Sequence, residues 1–578
     1  MKKLLILVLT LAFSFTVLPQ WSTDPGINTS VCLATGYQDR PQIIEDGDGG
    51  VIITWLDFRN PPLNANGDIY AQRIGGDGIP KWNADGIQIC GNNITQINPQ
   101  IVSDGNGGAI IVWEDLRNSL QKDIYAQRID ANGNTLWTNN GIPICSSIGD
   151  QSLPMITTDG FGGAIITWID QRASIISNIY AQRIDSNGNS LWALNGISVC
   201  PATTNQTTSK IVSDENNGAI IMWVDNRTGV NENDIYAQRI NANGDLLWST
   251  SGLAVCAIYR RQQIASITAD GNGGAIIAWT DDRDTSTVPL TSDVYAQRVD
   301  PNGNLLWAST GVEIASGPGN QKAPQIFGYE DGGAIIVWDD TRNGTNNRDI
   351  YAQRVSPTGS IFWNINGIPI CNAANDQDWQ RIVSDGSGGA IISWEDERFG
   401  GNNRHIYAQR INETGSILWT LNGVAISNAP GYKSFTEMLP IGSGDVVFTW
   451  GDERISNRNI YAQLINRDGQ LGVVTDVENI SSPPVHFELS QNYPNPFNPS
   501  TKIKYSIPNV TPNGVDGSRV QLKIYDVLGN EVATLVDENK PVGSYEVTFK
   551  AEGLASGVYV YRLYSGNYST SKKLTLIK

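Results

Sequence analysis

The sequence predicts an all-β protein: an eight-bladed β-propeller with four-stranded blades, in which an N-terminal strand closes the last blade, followed by a small C-terminal β-sandwich. Three observations predict this fold. One unit recurs eight times along the chain, and its last copy lacks a strand that the N-terminal segment resembles. The last 90 or so residues then change to a different, alternating pattern.

The first 20 residues have the pattern of a secretory signal peptide. Lys2 and Lys3 precede an apolar stretch that runs from Leu4 to about Leu18. We expect residues 1–20 to be removed after export. No later segment reaches the ~20 apolar residues that a membrane helix needs, so no transmembrane segment is expected in the mature chain.

The repeat is defined by a W-x-D-x-R motif and a D-I-Y-A-Q-R motif. In the second copy, strands are predicted at about 99–103, 109–114, 124–130 and 135–145, separated by Gly-rich and Asn-Gly turns. Four antiparallel strands in about 56 residues are typical of a propeller blade. The eight motifs begin at Trp55, Trp113, Trp168, Trp223, Trp279, Trp338, Trp394 and Trp450.

The two ends of the repeat region predict a closed ring. The eighth copy stops after Gly469 without its L-W…G-I-x-I-C strand, whereas Trp21, Gly26-Ile27 and Val31-Cys32 supply that pattern at the other end. A linear β-solenoid or a row of small sandwiches would not explain this arrangement. We therefore expect the propeller to span residues 21–470, with no open sheet edge.

The repeated polar residues are interpreted structurally, because an active site needs distinct groups in one place. Trp113, Asp115 and Arg117 share one face of an extended strand, where they can pack against the next blade. The Asp-x-Asn-Gly-Asn turns are interpreted as hairpins, so no cofactor is expected, and structural calcium is the less favoured alternative. The six cysteines, which occupy one equivalent strand position, are expected to be reduced and buried.

Charge and composition narrow the function classes. The formal net charge of −18 opposes nucleic-acid binding. Only two histidines, His405 and His486, are available for metal or acid–base chemistry. Function is expected where the repeat varies, on the face formed by the B–C and D–A connections between strands.

Candidate ligand-binding residues lie on that variable face. Arg260, Arg261 and Trp379 are non-repeating, and a glutamine recurs in seven D–A connections; its amide could line the channel mouth or hydrogen-bond neighbouring loops. The seven glutamines are Gln38, Gln96, Gln151, Gln206, Gln262, Gln321 and Gln377.

Two functions remain open: a binding protein for a glycan or protein ligand, and a glycan-processing hydrolase with a sialidase-like or other propeller active site. Residues 103–113 resemble the Asp-box of sialidase-like repeats without keeping its residue order. A hydrolase needs two carboxylates ~5–9.5 Å apart, and convergence of two beside Arg261 or Trp379 would favour it. The candidates are Asp39, Asp150, Glu232, Asp376, Asp378 and Glu437.

The C-terminal segment, residues 487–578, follows a predicted linker at 471–486. Its motifs resemble the type A C-terminal sorting domain of the type IX secretion system of Bacteroidetes-related bacteria. The resemblance implies the type IX machinery as a partner, passage through the periplasm, and a secreted or outer-surface location on a Gram-negative bacterium. It rests on Asn492, Tyr493, Pro494, Asn495, Pro496, Phe497, Asn498, Pro499, Gly529, Gly557, Tyr559 and Lys573.

Overall fold

The computed structural model describes residues 21–60, 66–91, 94–118, 121–172, 176–201, 203–229, 232–284, 291–400, 403–442, 444–455, 457–472, 488–507, 518–540, 543–551, 553–565 and 568–577. The predicted signal peptide and nearly all of the predicted linker lie outside these residues. The chain divides into two compact units, Met1–Val474 and Thr475–Lys578. The described residues are all-β, as predicted, and contain no α-helix.

The first unit is a propeller of eight four-stranded antiparallel sheets. Its first strand, β1 (Thr29–Cys32), belongs to the last blade. The other strands run from the channel outwards as A, B, C and D in each blade. Blade 1 contains β2 (Gln38–Glu45), β3 (Val51–Asp57), β4 (Asp68–Ile74) and β5 (Ile87–Cys90), and blade 2 contains β6 (Gln96–Ser103), β7 (Ala109–Asp115), β8 (Asp123–Ile129) and β9 (Ile142–Cys145). Blade 3 contains β10 (Gln151–Thr158), β11 (Ala164–Asp170), β12 (Asn178–Ile184) and β13 (Ile197–Ser198), and blade 4 contains β14 (Gln206–Ser213), β15 (Ala219–Gly229), β16 (Glu232–Ile240) and β17 (Leu253–Cys256).

Blades 5 to 8 repeat the arrangement. Blade 5 contains β18 (Gln262–Ala269), β19 (Ala275–Asp281), β20 (Asp293–Val299) and β21 (Val312–Ala315), and blade 6 contains β22 (Gln321–Gly328), β23 (Ala334–Asp340), β24 (Asp349–Val355) and β25 (Ile368–Cys371). Blade 7 contains β26 (Gln377–Ser384), β27 (Ala390–Asp396), β28 (His405–Ile411) and β29 (Val424–Ser427). Blade 8 contains β30 (Lys433–Ile441), β31 (Asp445–Asp452) and β32 (Asn459–Ile465), and β1 completes it.

Strand D is shorter than predicted. In blade 2 it begins at Ile142, and Thr135 makes only an isolated bridge to Ile129. The intervening residues turn at Gly141, whose φ is 83°. A Cβ at Gly141 would lie 2.6 Å from the Trp113 ring, so this glycine lets the chain pass over the buried tryptophan.

The ring closes as predicted. Strand β1 pairs antiparallel with β32, with Thr29 opposite Ala462 and Ser30 opposite Tyr461. The Trp21 side chain is fully buried, and its Nε1 donates a 3.0 Å hydrogen bond to the Gly76 carbonyl of blade 1. Strands β1 and β32 come from opposite ends of the propeller sequence, so their pairing closes the ring and covers the edge of β32.

The W-x-D-x-R residues pack the blades, as predicted. In blade 1 the Trp55 Nε1 donates to Asp57 (2.7 Å), and the same carboxylate accepts two hydrogen bonds from the Arg59 guanidinium and one from its backbone N–H. The Arg59 guanidinium lies 3.9 Å from the centre of the Tyr70 ring, and its Nη2 contacts Cys32 Sγ of the preceding blade at 3.1 Å. A buried aromatic and ionic unit thus bridges adjacent blades.

All six cysteines are free and buried, in agreement with the prediction. Each lies in the outer part of a blade against the next W-x-D-x-R unit, as Cys32 does against Arg59. Burial, together with the nearby Asp57, raises the pKa of the Cys32 thiol to about 12. The slot therefore holds a neutral thiol as a small packing group.

The second unit consists of two sheets that enclose one apolar core, the predicted small sandwich. Its strands are β33 (Glu488–Leu489), β34 (Ser500–Ile507), β35 (Ser518–Tyr525), β36 (Glu531–Lys540), β37 (Gly543–Lys550), β38 (Gly557–Ser565) and β39 (Tyr568–Leu576). One sheet has the order β33-β34-β37 and the other β36-β35-β38-β39. Ile503, Leu522 and Leu563 are fully buried in the shared core.

Candidate functional site

A bulge interrupts the pairing of strands A and B at the same place in every blade. In blade 1 the register shifts between Asp39 and Gln42, and Arg40 within the bulge has a φ of 52°. Corresponding shifts occur in the other seven blades. We call the eight left-handed bulge residues the rim: Arg40, Asn98, Leu153, Thr208, Ile264, Ala323, Trp379 and Phe435.

The rim combines a constant backbone with variable side chains. A left-handed conformation costs a non-glycine residue about 1–2 kcal/mol, and it is least suited to β-branched residues such as Thr208 and Ile264. Bonds from the preceding blade hold it: Leu153 N donates to Glu114 Oε1 (2.8 Å) and Ala323 N to Thr280 Oγ1 (3.2 Å). The fold therefore presents eight different side chains in equivalent positions, at an energetic cost.

Several rim side chains are exposed apolar groups. Trp379 is 58% exposed, Leu153 50% and Ile264 47%. Arg40 stacks on Phe435, 5.3 Å from the ring centre, and its Nη1 donates to Asn98 Oδ1 (2.7 Å). The rim thus carries aromatic, aliphatic, amide and cationic side chains at equivalent positions of strand A.

The seven glutamines lie just before the rim, but their side chains are buried. All seven are 0% exposed, and Nε2 typically donates to carbonyls of its own D–A loop, as Gln151 does to Gly149 O (2.9 Å). In the eighth blade the Lys433 ammonium takes this place against the carbonyls of Ala429, Pro430 and Gly431, and burial lowers its pKa to about 8. These contacts match the loop-bonding alternative left open by the sequence.

Arg260 and Arg261 line a pocket on the loop face beside the rim. The cavity has a volume of about 390 Å³ and lies where the D–A loops before blades 5 and 6 meet the B–C connection of blade 5. Arg261 Nε lies 3.5 Å from Asp282 Oδ2, and Ser292 Oγ donates to Asp282 Oδ1 at 2.7 Å. The lining residues are Arg260, Arg261, Gln263, Asp282, Thr291, Ser292, Asn320 and Lys322.

A second polar cluster lies next to Trp379 in blades 6 and 7. Arg348 binds two of the predicted carboxylates, Asp376 at 2.6 Å and Asp378 at 2.8 Å. Arg404 Nη1 lies 2.8 Å from Glu395 and 3.5 Å from Asp378, so these two acids share one guanidinium nitrogen. The structure therefore brings Asp376 and Asp378 together beside Trp379.

The chemistry of this cluster is dominated by burial. Asp378 and Glu395 are directly opposite in the β26–β27 ladder and almost completely buried. Burial raises the pKa of Glu395 to about 7, against the lowering effect of its hydrogen bond with Arg404. Burial also raises the pKa of Asp378, against the lowering effect of Arg404 and Arg348.

The remaining predicted carboxylates do not join this cluster. Asp39 accepts from Arg458 (2.7 Å), and Asp150 accepts from the Lys122 backbone N–H (3.0 Å). Glu437 pairs with Arg381 at 3.0 Å, and both residues lie on innermost strands. The pKa of the nearby Lys210 is lowered by burial and by the positive charge of Arg381. Glu232 begins strand β16 in blade 4.

Sequence reasoning missed Lys322, Asp339, Glu395, Arg348 and Arg404. A sequence pattern could have found the cluster, because the residue after the buried glutamine lies opposite the residue after the motif tryptophan. Lys322 lies opposite Asp339 in this way, and Asp378 lies opposite Glu395. Only in blades 6 and 7 are both partners ionisable. Comparing these two positions across the repeats would have identified both blades.

The predicted sorting residues have two kinds of environment in the second unit. Asn492 is buried, with Nδ2 bonded to Pro494 O (3.0 Å) and Thr501 Oγ1 (2.9 Å), and Phe497 is buried in the core. Tyr559 OH donates to Ala555 O (2.8 Å), and Gly529 turns a hairpin at a φ of 86°. Tyr493, by contrast, is 55% exposed.

Metal-binding clusters and membrane-spanning helices are both absent from the described residues. Among the residues described, no group of three or more His, Cys, Asp or Glu side chains is arranged to hold a metal ion. At the Asp-x-Asn-Gly-Asn turn of blade 2, Asp130 Oδ1 accepts from the N–H groups of Asn132 and Asn134. Within the same described ranges, no helix has the length and apolar character needed to cross a membrane.

Residues 491–578 match the family of secretion system C-terminal sorting domains. The match extends over nearly all of the second unit and indicates a secreted or outer-surface protein. No characterised protein sequence matches this chain significantly.

Solved structures with a similar fold share little sequence with this chain. A PL25 ulvan lyase has 10% identity and a TM-score of 0.41, covering 68% of this chain and 96% of its own. A Penicillium chrysogenum α-L-arabinanase has 12% identity and a TM-score of 0.33, covering 56% and 94%. A Dyadobacter fermentans protein of unknown function has 10% identity and a TM-score of 0.33, covering 76% and 99%. Matches at this level bear on neither substrate nor activity.

Proposed function

We propose that the propeller is a non-enzymatic binding module that the sorting domain delivers to the cell exterior, and that its loop face binds a glycan. The rim is the observation that carries this proposal. Eight blades maintain a left-handed bulge at an energetic cost, yet each presents a different side chain. Blade packing alone would favour glycine at these positions, because glycine adopts a left-handed φ without strain.

The chemistry of the face suits a hydroxyl-rich polymer. Trp379 offers an exposed aromatic surface on which a sugar ring can stack, and Gln263 and Asn320 supply amides in the adjacent pocket. Gln380 Nε2 donates to Ala323 O at 2.6 Å and links the rims of blades 6 and 7. Because Lys322 of the pocket precedes Ala323 and Trp379 precedes Gln380, this bond connects the pocket to the aromatic platform along one rim.

The test is a glycan array with the full chain, followed by measurement of affinity for the best hit. Trp379→Ala should weaken that binding at least about fivefold, because the stacking surface is lost. Phe362→Ala is the matched control, since Phe362 is also 58% exposed but lies beside the C–D hairpin of blade 6. An array without hits, or equal losses in both variants, would contradict the proposal.

The second candidate function is glycan hydrolysis, which the convergence of Asp378 and Glu395 on Arg404 favours. Burial of both acids and their pairing with arginines argue against it, because a general acid and a nucleophile must reach substrate. A hydrolysis screen run beside the array separates the two functions. Turnover that disappears in both Asp378→Asn and Glu395→Gln would establish the hydrolase instead.

A further inference from the structure

The pocket beside the rim is locally basic in a strongly acidic protein. Arg260, Arg261 and Lys322 line it together with one carboxylate, Asp282, whereas the whole chain carries a formal charge of −18. Asp282 is already bound by Ser292 Oγ at 2.7 Å and approached by Arg261 Nε at 3.5 Å. Lys322 and Arg260 form no ion pair within 4 Å with any side chain in the described ranges.

Arg260 occupies a backbone position that other blades reserve for residues tolerant of a left-handed φ. Its φ is 81°, and the residue two places before the buried glutamine or lysine is also left-handed in five sister loops. Four of those loops have glycine and one has asparagine: Gly36, Gly149, Gly319, Gly431 and Asn375.

The sister loops show what this arginine costs. At Gly36 and Gly149 an added Cβ would lie 2.5 Å from a backbone carbonyl oxygen, of Phe58 and of Gln171. Asp282 is the equivalent of those residues, and its N–H makes the same backbone bond, to Arg261 O at 2.9 Å. An arginine therefore stands where the loop would be less strained with glycine, which points to a role for its side chain.

The Arg260 head group is also incompletely bonded. Its Nε is buried without a hydrogen-bond partner, although its guanidinium lies 5.1 Å from the centre of the exposed Tyr259 ring. A guanidinium with a free donor inside a cavity is suited to an oxyanion, because it presents several N–H groups in a planar fork. Lys322 adds a second positive charge: its cross-strand neighbour is Asp339, a buried acid whose pKa burial raises to about 7, and the two form no ion pair within 4 Å.

We propose that this pocket binds the anionic substituent, a carboxylate or a sulfate ester, of an acidic polysaccharide. Arg260 and Lys322 are assigned to the anion, and Gln263 and Asn320 to neighbouring hydroxyl groups. The inference rests on the proposed glycan-binding function and specifies its ligand class. It also places the charged unit next to Ala323, the smallest rim side chain, so that the polymer can continue towards Trp379.

The test compares charged and neutral forms of one polymer on the full chain. Polygalacturonate against its methyl ester probes the carboxylate, and dextran sulfate against dextran probes the sulfate. At least one acidic form should bind about tenfold or more tightly than its neutral partner, with affinity falling as salt rises. Equal binding of acidic and neutral forms would refute the anion site while leaving glycan binding intact; binding of none would refute both.

The variants separate the pocket from general charge. Arg260→Gly and Lys322→Gln should each weaken acidic-polymer binding about tenfold. Arg260→Gly should melt no lower than the wild type, because it restores the residue of four sister loops. Lys81→Gln, beside the C–D turn of blade 1, removes one charge as the control and should bind normally. Unchanged binding in Arg260→Gly, or an equal loss in Lys81→Gln, would overturn the assignment.

Discussion

Replacement of Trp21 by alanine should open the ring, because this residue seals the junction between the two ends of the propeller. Its side chain is fully buried, and removal of such a side chain costs about 3–5 kcal/mol through lost burial and the cavity left behind. The indole hydrogen bond to Gly76 O adds about 1 kcal/mol.

The closing junction lacks one hydrogen bond that recurs at the other junctions. At the junction of blades 6 and 7, both Trp363 Nε1 and Arg354 Nη1 donate to Glu413 O. In blade 8 the position of that arginine is Leu464, so Trp21 alone makes the bond to Gly76. We therefore expect Trp21→Ala to lower stability at least as much as Trp363→Ala, and in addition to increase aggregation through the exposed edge of β32.

Urea unfolding of the full chain, monitored by tryptophan fluorescence, measures the loss of stability. Light scattering measures the aggregation. Trp21→Phe is the intermediate variant, because it keeps most of the apolar volume and loses only the N–H donor. An unfolding midpoint for Trp21→Ala that equals that of the wild type would refute the closure argument, since a 3–5 kcal/mol loss is a large fraction of domain stability.

Three further predictions concern the thiols, the acid cluster and the tail. Denaturation without reductant should expose six thiols per chain; a thiol-reagent titration that finds none would mean three disulfides. The folded pKa of Glu395 is raised from 4.5 to about 7, so protonation of this side chain favours the folded state. The stability of the wild type should therefore fall relative to that of Glu395→Gln as pH rises from about 4.5 to above 7, by on the order of 1–3 kcal/mol. A difference between the urea midpoints of the two proteins that is the same at pH 5 and pH 8 would contradict this. Removal of residues 487–578 should leave a folded propeller in the periplasm, and the mature surface form should lack roughly the last 90–105 residues, cut within the predicted linker. Fractionation with intact-mass measurement checks both, and a truncated chain at the surface would contradict the sorting role.

Blade number, closure and blade packing were all predictable, because each leaves a periodic trace. The incomplete eighth copy and the Trp21–Cys32 segment identify the junction, and the recurrence of W-x-D-x-R identifies the packing unit. The rim was not predictable, because Arg40, Leu153 and Trp379 have no local preference for a left-handed φ. Bonds from the neighbouring blade impose that conformation, as Glu114 does on Leu153.

The positions of the candidate residues could be predicted only in part from the sequence, for a related reason. The structure places Arg260 and Arg261 in the lining of the pocket and Trp379 on the rim, and their part in ligand binding stays a prediction. The glutamines illustrate the limit: their recurrence gives a position at the start of strand A but not the direction of the side chain, and the structure points them into the loops. Asp378 and Glu395 are 17 positions apart in the sequence, and only the register of the two strands places them opposite each other.

Constant and variable residues have separate tasks in this propeller. The buried glutamines and the Trp-Asp-Arg units fix each blade through bonds that any rim side chain leaves intact, so a rim residue can change with little effect on the ring. Arg260 departs from this division, because a variable side chain occupies a backbone position that belongs to the fixed frame. A strained arginine at a glycine position weakens its own loop, and a contact outside the fold must offset that loss. The anionic unit of a bound polymer is such a contact, and it explains why blade 5 differs from its neighbours in both charge and backbone strain.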